Sequence, residues 1–377
     1  MSVRNRWFKL EDAISEIGDD WERAVREKSG DPTAFPWWIK SVAQARNQLE
    51  QLKIYVEWEK KKLKTIIPFL SSVEHWYGVP IRVLEPAGNL VSYHQNLLID
   101  GDEVETLGRV LSQASLSKWD VLRIKNVVDN GRTYEILTHL AKAKGRILRF
   151  LRGDSSPYLP ISSDWESFLL KRSASFRYRL GRKARNIGKT GAEMRWFKDA
   201  SETSEFLAHM LTIESASRKV AAGMAVSHRP MEQRYYELLL PELADRGMLR
   251  ANVLFLGERP IAYSLCYEFE KRWGQLKTSF DDQYAEISPG TYVVDAAIQQ
   301  AFTEGAIEFD FLGDVMPHKL EWTKQMRVHW TIEMYGHTVI GNLMGYLKKY
   351  CIDTLRRHLR VGSTNASTVV QSLPQRG

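Results

Sequence analysis

Residues 250–280, RANVLFLGERPIAYSLCYEFEKRWGQLKTSF, constrain the fold more than any other stretch of the chain. Three runs of β-forming residues are separated by two short polar turns, GERP and EKR, and runs so closely spaced pair as an antiparallel meander. A helical segment follows in SPGTYVVDAAIQQAFTEG (288–305), introduced by Ser, Pro and Gly, and then a strand, AIEFDFLG (306–313). Upstream, SETSEFLAHMLTIESASRK (201–219) carries Phe206, Met210 and Ile213 as a stripe behind a Ser/Thr cap, and MEQRYYELLLPELADRG reads as a further helix. The order of helix, helix, three antiparallel strands, helix and strand predicts a mixed α/β layer.

The first 160 residues follow the same logic. Ile14, Ile17, Trp21, Ala24 and Val25 place an amphipathic helix over 11–27, and a second helix starts after Pro36. LKIYVEW (52–58) and TIIPFL (65–70) flank a charged tip and read as a hairpin. Further strands are expected at 79–86 and 120–127, and helices at 103–115 and 132–145. The Gly-, Ser- and Pro-rich GDSSPYLPISSDW (153–165) reads as a connector. These signals divide the chain into 1–160, 161–340, a C-terminal helix at 341–360 and a disordered tail at 361–377.

At 377 residues the chain is long enough for two large cores without staples. Its two cysteines, Cys266 and Cys351, argue against a disulfide framework or a thiolate zinc site. The N-terminal thirty residues lack the apolar run of a signal peptide, and no apolar run approaches the roughly 20 residues of a membrane span, so a cytoplasmic, soluble or at most peripheral protein is expected. The nine histidines are scattered, and no metal motif, Walker loop, GxGxxG or GxSxG occurs.

The net charge of +7 is concentrated in KRSASFRYRLGRKARNIGKTGAEMRWFK (171–198), where ten Lys or Arg stand against Glu193 alone. This run can line a groove for an acidic ligand, with Arg177 and Arg179 foremost, or be a solvated helix face. Without a helix-turn-helix or RNA-recognition motif, sequence-specific nucleic-acid binding is not expected. Residues 341–360 either touch an anionic membrane or pack on the second half. Trp7, Trp37, Trp38 and Trp322 are stacking platforms for a sugar or core residues.

Residues 166–330 resemble the acetyltransferase domain of the CelD-like and BioF2-like branch of the GNAT superfamily, related to the FemAB peptidoglycan aminoacyl transferases. The resemblance rests on Asp281 and Tyr284, Ser288 to Gly290, Phe309 to Phe311, Gly313 and Asp314, and His318 before Lys319, with Glu214 to Arg218 as a looser match. His318 departs from the aromatic usual there. The first half is similar to the family's degenerate N-terminal half through PTAFPWWIKSVAQA, the hairpin and VSYHQNLLID. The resemblance implies two tandem GNAT-like domains, each a mixed, mostly antiparallel sheet flanked by helices.

It also implies acetyl-CoA, or another acyl-CoA, as co-substrate, with its pyrophosphate at Ser288, Pro289, Gly290 and Thr291. A helix N-terminus with Gly has free N–H groups suited to phosphate, although Ser-Pro-Gly alone only starts a helix. Asp310, opposite the aromatic face of its strand, is either a general base or a buried capping group. Lys319 can stabilise an oxyanion, the role that the FemAB resemblance implies. Arg177, Arg179, Arg218, Asp281, Tyr284, His318 and Trp322 are the expected substrate contacts.

The expected activity is N-acyl transfer to an amine of a sugar or cell-envelope polysaccharide precursor. The alternatives are aminoacyl transfer from charged tRNA, as FemAB relatives do, and a non-catalytic scaffold. No metal is expected.

Overall fold

The computed structural model describes residues 3–87, 94, 96–113 and 118–352. The elements run in this order: β1 (Val3–Phe8), α1 (Leu10–Lys28), α2 (Pro36–Ala45), β2 (Leu52–Glu59), β3 (Lys62–Trp76), β4 (Val79–Pro86), β5 (Leu98–Ile99), α3 (Glu103–Leu111), β6 (Val121–Val128), α4 (Arg132–Ala143) and β7 (Leu148–Pro160).

 The second half continues with α5 (Trp165–Leu170), α6 (Ala174–Gly188), β8 (Glu193–Phe197), α7 (Thr203–Ser215), α8 (Pro230–Asp245), β9 (Leu249–Leu256), β10 (Arg259–Phe269), β11 (Arg272–Phe280), α9 (Pro289–Thr303), β12 (Glu308–Asp310), α10 (Pro317–Leu320), β13 (Met326–Tyr335) and α11 (Val339–Tyr346).

All thirteen strands belong to one sheet in the order β1-β2-β3-β4-β6-β13-β7-β12-β11-β10-β9-β8, with β5 paired to β3. The pairs β4/β6 and β11/β12 are parallel, and the others are antiparallel. Each parallel pair is joined through a helix, α3 in the first half and α9 in the second, so the same β-α-β crossover occurs twice. The architecture is therefore mixed α/β, a large and mostly antiparallel sheet flanked by helices.

Two sequence expectations are corrected. Residues 153–160 are not a connector but the second part of β7, which pairs with β13 from Leu148↔Met334 to Pro157↔Met326 and with β12 from Tyr158↔Asp310 to Pro160↔Glu308. Partners on both edges override the turn propensity of Gly, Ser and Pro. The strand expected at 306–313 is confined to 308–310, because Leu312 (φ 41°) and Gly313 (φ 63°) turn left-handed and end the pairing. The tail expected at 361–377 and residues 353–360 of the helix expected at 341–360 lie outside the described residues.

Leu10, Ala13, Ile17, Trp21 and Val25 bury the apolar stripe of α1. They share a core with α2, α7 and α8 on one sheet face, where Trp21, Phe35 and Trp38 meet Phe206, Leu239 and Tyr263. That core joins the two halves. On the opposite face of the second half, α6 and α9 cover Trp273, Phe309 and Phe311. Trp37 and Trp38 are buried and Trp7 packs edge-on to Tyr55 at 5.1 Å, so these three serve packing, while Trp322 is buried beside a cavity.

Candidate active site

The site begins where β11 and β12 part. They pair over three rungs, Arg272↔Glu308, Trp273↔Phe309 and Gly274↔Asp310, after which β12 ends and β11 runs on to Phe280. Leu276 is an extra residue in β11, opposite the Leu265–Cys266 step of β10, and such a bulge bends the strand away from its neighbour. The result is a wedge between the two parallel strands.

Beyond the wedge, Ser288 takes a left-handed conformation (φ 57°, ψ 46°) and starts α9 without a side-chain cap. The first turn of α9 holds no acidic residue, so its amides and its positive dipole end are left for an external acceptor. Gly290 is required by packing: a Cβ there would lie 2.5 Å from Phe280 Cδ1. The matching helix of the first half, α3, is built differently. Asp102 caps it through the Glu105 amide, and Glu103 and Glu105 fill its first turn, which repels an anion.

A cavity of about 210 Å³ opens at the α9 N-terminus. Ser288 and Thr291 face Arg179, Arg182 and Lys183 of α6, with His318, Glu321 and Trp322 closing it. Arg182 has no ion pair among the described residues, whereas Lys183 pairs with buried Asp295. Burial pushes the Asp295 carboxyl up to about 6, against the opposing pull of Lys183 and Trp322. Burial and the charge of Lys319 push His318 down.

Asp310 is buried and fully engaged. Its Oδ1 accepts from the Leu312 amide at 2.9 Å, and its Oδ2 lies 2.8 Å from His94 Nε2 and accepts from Arg327 Nη1 at 2.6 Å. Burial pushes this carboxyl up, but His94 and Arg327 outweigh it and hold it below the usual range. Lys319 donates to the carbonyls of Leu312 (2.8 Å) and Phe311 (3.3 Å), and burial pushes its ammonium down. Asp310 and Lys319 thus grip the same left-handed turn, one through the Leu312 N–H and the other through its C=O.

A second and larger cavity, about 690 Å³, lies at the seam of the halves. Arg46 of α2 faces His228, Arg229, Tyr235 and Tyr236, and Leu276 of the β11 bulge contributes from the sheet. Leu276 packs with the core shared by α7 and α8, and Trp273 with the core under α9, so the two cavities approach β11 from opposite faces. The seam is fastened by Trp38 Nε1 donating to Tyr235 Oη at 2.9 Å. Glu214, completely buried, accepts from the Val226 amide and Tyr263 Oη, both at 2.7 Å, and so fixes the loop that carries His228.

Of the residues expected from sequence, Arg179, Ser288, Thr291, His318 and Trp322 line the smaller cavity, and Asp310 and Lys319 share the adjoining turn. Pro289 and Gly290 build the helix start beneath it. Four others have structural positions. Arg177 folds back onto the Leu169 carbonyl at 3.3 Å, and Arg218 pairs with Asp282 at 3.3 Å. Asp281 caps its own turn and pairs with Arg259 at 2.7 Å, and the Arg259 guanidinium lies 5.4 Å from the Tyr284 ring centroid. Sequence reasoning missed His94, Arg327 and Asp295. Asp295 had a signal, as an acid within the apolar face of YVVDAAIQQAF, whereas His94 and Arg327 reach Asp310 only through tertiary pairing.

Comparison with known proteins agrees with this geometry. Residues 174–320 match the acetyltransferase (GNAT) domain family. No curated protein sequence matches the chain significantly. Among solved structures, FemX superposes with a TM-score of 0.56 at 11% identity, over 85% of this chain and 96% of that one. The C-terminal domain of a putative lysylphosphatidylglycerol synthetase from Agrobacterium fabrum gives 0.51 at 11% identity, over 88% and 96%. L-PGS from Bacillus licheniformis gives 0.50 at 12%, over 87% and 94%. Residues 174–320 thus carry a GNAT-like domain, and the chain as a whole shares its fold with FemX. Its acetyltransferase-like segment contains the α9 cavity, the Asp310 turn and Lys319.

Proposed function

We propose that the protein is an acyl-CoA-dependent N-acyltransferase, acetyl-CoA being the first donor to test, with 161–340 as the acyltransferase unit and 1–160 as its degenerate counterpart. The observation that carries this reading is the uncapped, acid-free start of α9 beside Arg179, Arg182 and Lys183, at the mouth of the β11/β12 wedge. The residues fit a pyrophosphate: free amides, a cation without a partner in Arg182, and a glycine pressed against Phe280. The donor supplies an activated acyl thioester.

The acceptor amine occupies the seam cavity and approaches β11 from the other face. Arg46 on its rim and the walls of Tyr235 and Tyr236 suit a sugar or cell-envelope precursor that carries an anionic group, while Arg229 is paired with Glu232 at 2.5 Å. The amine nitrogen attacks the thioester carbonyl, the C–S bond breaks, and the amine proton passes through water in the cleft to the departing thiolate, which leaves as the thiol. Two Lys319 donors are spent on the Phe311 and Leu312 carbonyls, and the third steadies the developing oxyanion. Asp310, acidic and engaged on both oxygens, is a positioning group for His94, Arg327 and the turn rather than the base.

The test is donor choice. Acetyl-CoA should raise the melting temperature, and mass spectrometry with a panel of amines should find one acylated product. A second reading, aminoacyl transfer from charged tRNA, is favoured by the exposed cations of α6 beside the cavity. Binding of charged tRNA with a steep salt dependence, together with no response to acetyl-CoA, would replace the first reading by the second.

A further inference from the structure

The helix α11 is held so tightly that it cannot turn its apolar side inward. Thr338 caps it through the Gly341 amide at 2.9 Å and hydrogen-bonds Asp120. A Cβ on Gly341 would lie 2.7 Å from the Asp120 carbonyl, and one on Gly345 would lie 2.9 Å from Tyr335 Cγ. These two glycines, four residues apart, let the helix backbone lie directly on β13 and β6 and fix its rotation. Met344 fills the remaining inner space.

The outward side is therefore fixed too, and it is apolar. Val339, Leu343, Tyr346, Leu347 and Tyr350 recur at helical spacing and are respectively 85%, 54%, 59%, 38% and 55% exposed. Tyr346 and Tyr350 stack at 5.6 Å. A lone exposed apolar side chain is ordinary, but a continuous stripe on a pinned helix marks a surface that is covered in use.

The charge around the stripe says what covers it. No Asp or Glu occurs between Glu333 and Asp353, while Lys348 and Lys349 flank the stripe and the sequence beyond adds Arg356, Arg357 and Arg360. Lys348 lies 2.9 Å from the Trp76 ring centroid, which ties this segment to the β3–β4 hairpin. A second copy of the chain would bring cation against cation. Leucines bordered by tyrosines and lysines suit the boundary between acyl chains and anionic headgroups.

We infer that α11 and the helical turn after it, as far as Tyr350, seat the protein on an anionic lipid surface, through Val339, Leu343, Tyr346, Leu347 and Tyr350. The test is flotation of the full chain with phosphatidylcholine vesicles, with and without one quarter phosphatidylglycerol. The expected result is binding to the anionic vesicles that weakens with salt. The double variant Leu343→Ser, Leu347→Ser should bind about tenfold more weakly with an unchanged melting temperature, since both side chains are exposed. No binding to anionic vesicles, or binding that the double variant leaves intact, overturns the inference. So does a dimer in gel filtration that the double variant abolishes while vesicles are not bound, because the stripe would then be a protein interface.

Discussion

Asp295 offers the sharpest test of the donor cavity. Its carboxyl is buried beside Lys183 and titrates at about 6, so it is about nine-tenths protonated at pH 5 and almost fully ionised at pH 7.5. Protonation removes a negative charge from the cavity wall and frees the Lys183 ammonium for the ligand. In a half-open, solvent-screened pocket this is worth about 1 kcal/mol, or roughly fivefold in Kd. An anionic donor should therefore bind more tightly at pH 5 than at pH 7.5 by calorimetry.

Burial and the charge of Lys319 hold the His318 imidazole below the ordinary histidine range, so any proton it gains toward pH 5 acts in the same direction. Asp295→Asn separates the contributions. At pH 7.5 the variant should bind acetyl-CoA about fivefold more tightly than wild type and show a flatter pH profile. If it binds no more tightly than wild type at pH 7.5, the carboxylate does not face the donor and the assignment of this cavity fails. Stability carries the same signature. The folded value of about 6 lies above the ordinary 3.8, so Asp295 favours the folded state most at low pH, and about 3 kcal/mol of that is lost as pH rises through 6.

Three further outcomes are expected. Gly290→Ala drives a methyl into Phe280 and should cost about 1–3 kcal/mol of stability in urea titrations while weakening acetyl-CoA binding, with Phe280→Leu restoring part of both. Asp310→Asn leaves Arg327 and His94 without their carboxylate and should cost about 3 kcal/mol at neutral pH. Because the folded Asp310 value is depressed, that stabilisation is present above the ordinary carboxylate range and fades as pH falls through the folded value, so variant and wild type should converge in acid. Cys266 is buried with its thiol pushed up to about 12, and a thiol reagent should label it only after denaturation.

The meander, the helix opened by Ser-Pro-Gly and the concentrated basic run could be read in the sequence because each is a local signal. Turn residues punctuate the strands at 257–260 and 270–272, and α9 shows its helical period over fifteen residues. Ser288, Thr291 and Arg179, which line one cavity, were each legible as residues at a helix start or on a basic helix, while their role toward an anion came only from the resemblance. Residues 153–160 misled because Gly, Ser and Pro signal a turn locally, while the pairing that makes them strand comes from residues about 150 positions later.

Sequence by itself therefore determined most of the elements and the residue types available at the start of α9. Tertiary structure alone decided how these residues share a site. Only by seating β13 between β6 and β7 does the fold bring Arg327 to Asp310, and only by packing α2 against α8 does it open the seam cavity on the far face of β11. Burial did the rest. Asp310, which the sequence left as either a general base or a buried capping group, becomes a paired carboxylate once water is removed, and Lys319 becomes an ammonium held by two carbonyls.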